Sequence, residues 1–401
     1  MSAQPIATAH FTAPYASLAA ALATAEFGTT SASAPAQAGV LIETDDTGLT
    51  LRTNDFETVV SITVPEATTT QTGASLLPLA QLRKAMAAMV AGETKATAAR
   101  TTVTLAGDLL ITDHLTVPIT AIPVPEFAFA PKPAPVAVTL DTADLRRQLD
   151  RVLPAACTDD TLPILTGVQV TLTGRTLTLA ATDRYRVAVA DVPATPLSGT
   201  DDDALSALVP ARVMTRVSKH LKGHTGPVGI AYGTHGLTLS VGEATITSHG
   251  IEGRLPRHGS LFPTSADSSL ALDRATTQRA IKKCRALATA KGGSRLVTLR
   301  WDDDGRLTLA PHAGEPEDHA RIKGMPIPTT TLAGGPPKAR EVHLNPDFLR
   351  DALDALTGSD TVTLHLLDQP DRTTPRPLLL TAGPHVTGDD YRHLLMPVRV
   401  S

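Results

Sequence analysis

The stretch Leu162-Pro163-Ile164-Leu165-Thr166-Gly167 leads into a β-hairpin pattern that ends at Ala181-Thr182-Asp183-Arg184-Tyr185-Arg186-Val187. Val168, Val170 and Leu172 alternate, Thr173-Gly174-Arg175 reverses the chain, and Leu177 and Leu179 resume the alternation. This is the mark of two half-buried strands around a turn. The same skeleton, a turn Gly zero to two residues before Leu-Thr-Leu, occurs at Gly48-Leu49-Thr50-Leu51 and at Gly305-Arg306-Leu307-Thr308-Leu309. The equivalent leucines 49, 177 and 307 are 128 and 130 residues apart. That period is too long for a solenoid unit and matches a whole domain. The chain therefore reads as three copies of one domain: residues 1–130, 136–260 and 264–401, with a Pro-rich linker at 130–135 and a connection at 261–265.

Each copy reads as helix, strands, helix, strands, an α+β unit of two helices against antiparallel sheets. In repeat two, Leu145, Leu149, Val152 and Leu153 recur at helical spacing. A second helix runs from Pro210 through Val213, Val217 and Leu221 and stops at Gly223. In repeat three a helix is expected near 272–291. A second opens with Asn345 as N-cap and Pro346 at the first helical position. Asp302-Asp303-Asp304-Gly305 reads as a hairpin turn, because it lacks the alternating ligands and distal Glu of a calcium loop. Residues 331–340 and 368–374 read as loops.

Apolar residues make up 42% of the 401-residue chain, enough for three cores, but aromatics only 3%, which excludes base stacking on aromatic platforms as the main activity. Cys157 and Cys284 read as buried reduced thiols. No secretory leader or membrane-length apolar run is present, so a cytoplasmic protein is expected. The chain has no P-loop, no Cys-x-x-Cys and no His-Glu-x-x-His. His312 and His319, flanking Glu315, Glu317 and Asp318, read as a charged surface loop and not as a metal site. No catalytic residue, metal or cofactor is assigned, and the sequence points away from an enzyme.

The net charge of −4 conceals a partition. The six candidate helices, at residues 14–27, 76–92, 140–157, 210–224, 272–291 and 346–356, carry −1, +2, 0, +4, +5 and −2. They total +8, leaving −12 for everything else. Such a basic helical surface suits a polyanion bound through phosphates, independently of base sequence. The candidate DNA-facing cations are Arg83, Lys84, Arg146, Arg147, Arg212, Arg216, Lys219, Lys222, Arg279, Lys282, Lys283 and Arg285. The first helix, around residues 15–27, holds no Lys or Arg.

The segment 162–189, the threefold repeat and the ending Asp389-Asp390-Tyr391-Arg392-His393-Leu394-Leu395-Met396-Pro397-Val398-Arg399-Val400 resemble the bacterial DNA polymerase III β subunit family, the sliding clamps. The resemblance implies a head-to-tail homodimer closing six domains into a ring, helices lining the hole and double-stranded DNA threading it. It implies a non-catalytic processivity factor. Its partners would be the polymerase III catalytic subunit, an ATP-driven clamp loader, and other polymerases and repair proteins that dock by short peptides. It also implies a peptide-binding cleft between repeats two and three. Matched by position, its walls are Leu165, Thr182, Arg184, Tyr185, Arg186, Val187, Pro256, Leu261, Pro377, Leu394, Met396, Pro397, Val398 and Arg399. Repeat one departs from the pattern: residues 34–39 read Ala-Pro-Ala-Gln-Ala-Gly where repeat two has Leu-Pro-Ile-Leu. With the uncharged first helix, this keeps open a diverged second clamp or a scaffold that no longer encircles DNA.

Overall fold

The hairpin leucines that set the repeat are all core residues: Leu49, Leu51, Leu177, Leu179, Leu307 and Leu309 are each at most 2% exposed. The computed structural model describes residues 7–29, 35–128, 133–197, 205–290, 296–312, 321–338, 340–367 and 376–400. The 130–135 linker (apart from residues 133–135), Glu315, Glu317, Asp318 and His319, and the insertion expected at 368–374 lie outside these residues. The fold is α+β, with antiparallel sheets and seven α-helices among the described residues.

The chain forms two compact units, 1–143 with 194–201 and 216–250, and 144–193 with 202–215 and 251–401. The first unit holds a five-stranded sheet in the order Thr68–Gln71, His10–Pro14, Thr102–Ala106, Leu109–Ile111 and Thr116–Pro118. Its longer sheet runs Gly73–Pro78, Gly39–Asp45, Gly48–Asn54, Thr58–Val64, Ala244–Ser248, Gly236–Val241, Val228–Gly233, Val138–Leu140. The second unit repeats this plan. One sheet runs Leu205–Pro210, Gly167–Thr173, Thr176–Thr182, Arg186–Pro196, Tyr391–Leu395, Leu378–Thr381, Thr361–Leu366, Ser268–Asp273, Thr329–Gly334. A four-stranded sheet runs Met325–Ile327, Leu307–Pro311, Val297–Trp301, Arg340–Leu344.

The repeat is visible in backbone detail. Among the described residues, Phe56 and Arg184 are the two non-glycine residues with positive φ, at 70° and 79°, and lie 128 positions apart. Asp55 Oδ1 accepts the N–H groups of Glu57 and Thr58, and Asp183 Oδ1 those of Tyr185 and Arg186. These Asx bonds hold the turn against the cost of a left-handed residue.

The helices fall at Tyr15–Ala25, Leu79–Met89, Lys95–Arg100, Thr142–Val152, Ala211–His220, Arg274–Ala290 and Pro346–Ala355. Asn345 Oδ1 accepts the N–H of Asp347 at 2.9 Å, with Pro346 opening the helix as expected. Gly223, at φ 89°, lies just past the helix it was expected to stop. The short helix Lys95–Arg100 had no apolar period to announce it.

Four expectations need correction. Each repeat begins with a strand before its first helix, because the three-residue apolar alternations there are too short to register. The loop expected over 331–340 begins as strand Thr329–Gly334, which pairs with Ser268–Asp273. The run Thr329-Thr330-Thr331-Leu332 is β-branched and extended, and the glycines behind it masked that signal. His312, read as part of a surface loop, is buried with its ring 4.8 Å from that of His343. Cys284 is buried, which pushes its thiol up to about 11, while Cys157 is half-buried; both are free.

Candidate partner-binding cleft and basic helices

In the second unit, strand Arg186–Pro196 pairs antiparallel with Tyr391–Leu395, Val187 opposite Leu394. Alternation along the strands sorts their side chains onto two faces. On one face Val187, Val189 and Leu394 join Leu165, Ala180, Leu208, Leu255, Phe262 and Leu379 in an apolar cluster, with Cys157, Leu162, Ile251 and Val386 packed against it. Large apolar side chains stay exposed near it in sequence: Tyr185 is 53% exposed, Leu261 45% and Ile164 38%. A buried floor with an unsatisfied apolar rim suits a short apolar ligand.

The other face is polar and filled. Arg186 is buried; its Nε donates to Asp183 Oδ2 at 2.9 Å and its NH1 to Asp351 Oδ2 at 2.7 Å. It also donates to the carbonyl of Pro154 and lies 4.3 Å from the Phe348 ring centroid. Tyr185 stacks on Phe348 at 6.3 Å. Farther along, Asp390 accepts from Gln148 and Arg151 at 2.8 and 3.0 Å, and Tyr391 donates to the Arg151 carbonyl. Burial, with the Arg186 cation nearby, pushes His393 down to about 3, so it stays neutral.

The structure thus joins Leu165, Val187 and Leu394 in one cluster. Thr182 is buried at the hairpin end, its hydroxyl donating to the Arg186 carbonyl at 2.7 Å. Arg186, expected as a cleft wall, points into the polar layer instead. The tail is fastened by Met396 N–H to the Tyr185 carbonyl and Val398 N–H to the His343 carbonyl, each 2.8 Å. Met396, Pro397, Val398 and Pro377 are half-buried, while Arg184, Pro256 and Arg399 are exposed. Sequence reading missed Leu255, Phe262 and Leu379. Leu255 stands alone between Arg254 and Pro256, and Phe262 forms only a pair with Leu261, in a Gly- and Pro-containing segment with no period.

Of the candidate DNA-facing cations, Arg83 and Arg146 are half-buried and the other ten exposed. Several are already paired: Arg83 with Glu26, Arg146 with Asp150, Arg147 with Asp144 and Asp390, and Arg285 with Asp347. Arg279 donates to Thr276 Oγ1 and Arg216 to the Phe27 carbonyl. Lys84, Lys219, Lys222, Lys282 and Lys283 form no ion pair among the described residues, and with Arg216 and Arg279, whose hydrogen bonds go to uncharged oxygens, they keep positive charge available. Among the described residues no helix is long and apolar enough to cross a membrane.

A sequence model of the DNA polymerase III β subunit central domain matches residues 139–257. The chain is 30% identical over 380 residues to the β sliding clamp of Streptomyces coelicolor, covering 92% of this chain and 93% of that one. It is 31% identical over 242 residues to the β sliding clamp homologue GriR of Streptomyces muensis, 60% and 61% of the two chains. A crystal structure of the Pseudomonas aeruginosa sliding clamp superposes with a TM-score of 0.77 at 21% identity, covering 98% of this chain and all of that one. The Bacillus subtilis clamp gives 0.79 at 18%, with the same coverage.

Proposed function

The chain belongs to the bacterial DNA polymerase III β subunit family, the sliding clamps, and from that premise we propose that it is a DNA sliding clamp. Two copies join head to tail around duplex DNA, and partners dock in the cleft. One kind of contact carries the reading. Ala244–Ser248 of repeat two pairs with residues 58–62 of repeat one. Tyr391–Leu395 of repeat three pairs with residues 186–190 of repeat two, again over five residue pairs. The corresponding strands left over are Thr116–Pro118, which starts 128 residues before the same point in repeat two, and Met325–Ile327. Each is the outer strand of its sheet. Pairing these two edges between copies repeats the same contact a third time. A head-to-tail contact that closes after two copies forms a ring with no free edge.

In this reading the ring holds a polymerase by topology and catalyses nothing itself. The polymerase III catalytic subunit, other polymerases and repair proteins exchange at the cleft. Lacking a nucleotide-binding motif, the ring needs a separate ATP-driven loader. Its setting is the cytoplasm.

The test is retention on DNA. Protein loaded on nicked circular DNA is expected to co-migrate with the circle and to be released on linearisation. Retention unchanged by linearisation would overturn encirclement.

A further inference from the structure

The junction of repeats one and two corresponds residue by residue to that of repeats two and three. Ala244 pairs with Ile62 as Tyr391 pairs with Ala190, 128 positions further on. Thr63 N–H donates to the Glu243 carbonyl at 3.1 Å, and Asp191 N–H to the Asp390 carbonyl at 2.9 Å. Glu243 thus stands where Asp390 stands. The helices beside these turns, Tyr15–Ala25 and Thr142–Val152, are both 11 residues long. They begin 127 positions apart, and their buried faces, Leu18, Leu22 and Ala25 against Leu145, Leu149 and Val152, keep that offset.

What the two helices offer is different. Asp390 is held by Arg147, Gln148 and Arg151 at 3.3, 2.8 and 3.0 Å. At the same offset the first helix carries Ala20, Ala21 and Thr24. In place of three long side chains there is a pocket of about 410 Å³, bounded by these small residues and by Glu66 and Glu243. Ser17 donates its hydroxyl to Glu66, and neither carboxylate has an ion pair among the described residues. The imidazoles on the wall do not supply one. Burial, with His224 nearby, lowers His220 below the ordinary imidazole range, so it is uncharged at neutral pH. His224 Nε2 is buried with no hydrogen-bond partner among the described residues. The pocket therefore lacks the cation that its counterpart builds in, and the counterpart shows which one fits. A guanidinium's planar fork matches a carboxylate, which an ammonium does not.

We propose that this pocket binds a guanidinium group supplied from outside the chain, with Glu243 as its carboxylate partner and the alanine face of the first helix as its floor. The guest restores to the first junction the tie between turn and helix that Arg151 and Gln148 make in the second, so its binding stabilises the fold. Ala20, Glu66 and Glu243 are exposed, so the mouth admits either a free guanidinium compound or the arginine side chain of a partner polypeptide.

The probes are argininamide, its uncharged urea isostere citrullinamide, and a capped Gly-Arg-Gly tripeptide, titrated into the full chain at low salt by saturation-transfer NMR. Argininamide should bind with a Kd on the order of a millimolar, about tenfold tighter than citrullinamide, and should raise the melting temperature. Glu243→Gln, a change at an exposed position, should reduce argininamide to the citrullinamide level. Ala21→Gln/Thr24→Arg, which rebuilds the second junction's groups, should abolish binding and raise the melting temperature without any ligand. Tripeptide binding equal to that of argininamide supports a partner's arginine as the source; binding by argininamide alone supports a free compound. Equal binding of argininamide and citrullinamide, or argininamide binding unchanged by Glu243→Gln, overturns the proposal.

Discussion

Removing residues 396–401 tests the cleft while sparing the fold. The deletion starts just after strand Tyr391–Leu395, so that strand's pairing with Arg186–Pro196 survives intact. What is lost is two backbone hydrogen bonds, Met396 to Tyr185 and Val398 to His343, and three half-buried apolar side chains, Met396, Pro397 and Val398. The hydrogen bonds contribute about 1 kcal/mol each to stability, so the unit should lose roughly 2 kcal/mol and melt only a few degrees lower. Fully burying an apolar side chain is worth about 1.5–3 kcal/mol. A wall of three that are already half covered should therefore contribute about 2–3 kcal/mol to a docked peptide, or roughly 30- to 150-fold in affinity. The assay is anisotropy of a peptide bearing a Gln and a Leu-Phe pair, titrated with intact and truncated chains. Salt-dependent DNA association of both serves as the control. Equal peptide affinity, with the truncated chain folded, would refute the assignment of the tail as a wall.

Arg186→Ala leaves the half-buried Asp183 without its cation, while Asp351 keeps Arg350 at 2.8 Å, and should cost about 1.5–3 kcal/mol in urea denaturation; a loss under about 1 kcal/mol would mean the pair is idle. His393 and His365, lowered to about 3 and about 4 mainly by burial, are neutral in the fold, whereas the unfolded chain titrates near 6.5. Stability should therefore be full above pH 6.5 and fall on acidification, by up to about 1.4 kcal/mol per pH unit for each histidine; His393→Gln should flatten that slope between pH 6 and 4. Replacing Lys282 and Lys283 by Ala should reduce the slope of log affinity against log salt for DNA by about one per lost phosphate contact, with unchanged peptide binding. Phe56 is 60% exposed and held at φ 70°, so Phe56→Gly should raise stability by up to about 1 kcal/mol in thermal melts.

The sequence made legible whatever repeats. Three Leu-Thr-Leu hairpins at near-constant spacing disclosed the copy number, and the Asn345-Pro346 cap, a purely local device, was readable as written. Pairings beyond one hairpin were not, because Ala244–Ser248 meeting residues 58–62 is set by tertiary packing and leaves no local period. Leu165, Val187 and Leu394, assigned from a family pattern, fall in one apolar cluster. Leu255 was missed because a lone apolar residue between Arg and Pro carries no periodicity, and Phe262 because a Leu-Phe pair is too short to show one. At Arg186 a string match assigns a position, while strand alternation decides the face its side chain takes, here toward Asp183, Asp351 and Phe348. A list of cations alone overstates the free positive charge, since Arg83 and Arg285 are answered by Glu26 and Asp347, both already counted in the helix total of +8.

The two continuous sheets bear on how this chain can be dissected. The sequence suggests cutting near residues 130 and 260 to isolate the central copy. Such a fragment keeps Ala244–Ser248 but loses Thr58–Val64, and keeps Arg186–Pro196 but loses Tyr391–Leu395. It would enter solution with two raw backbone ladders, each five residue pairs long, and would be expected to self-associate or precipitate. The smallest pieces to express are therefore contiguous pairs of repeats. Each intact junction then travels with both of its strands, and a fragment's insolubility is not mistaken for an inherent defect of the central copy.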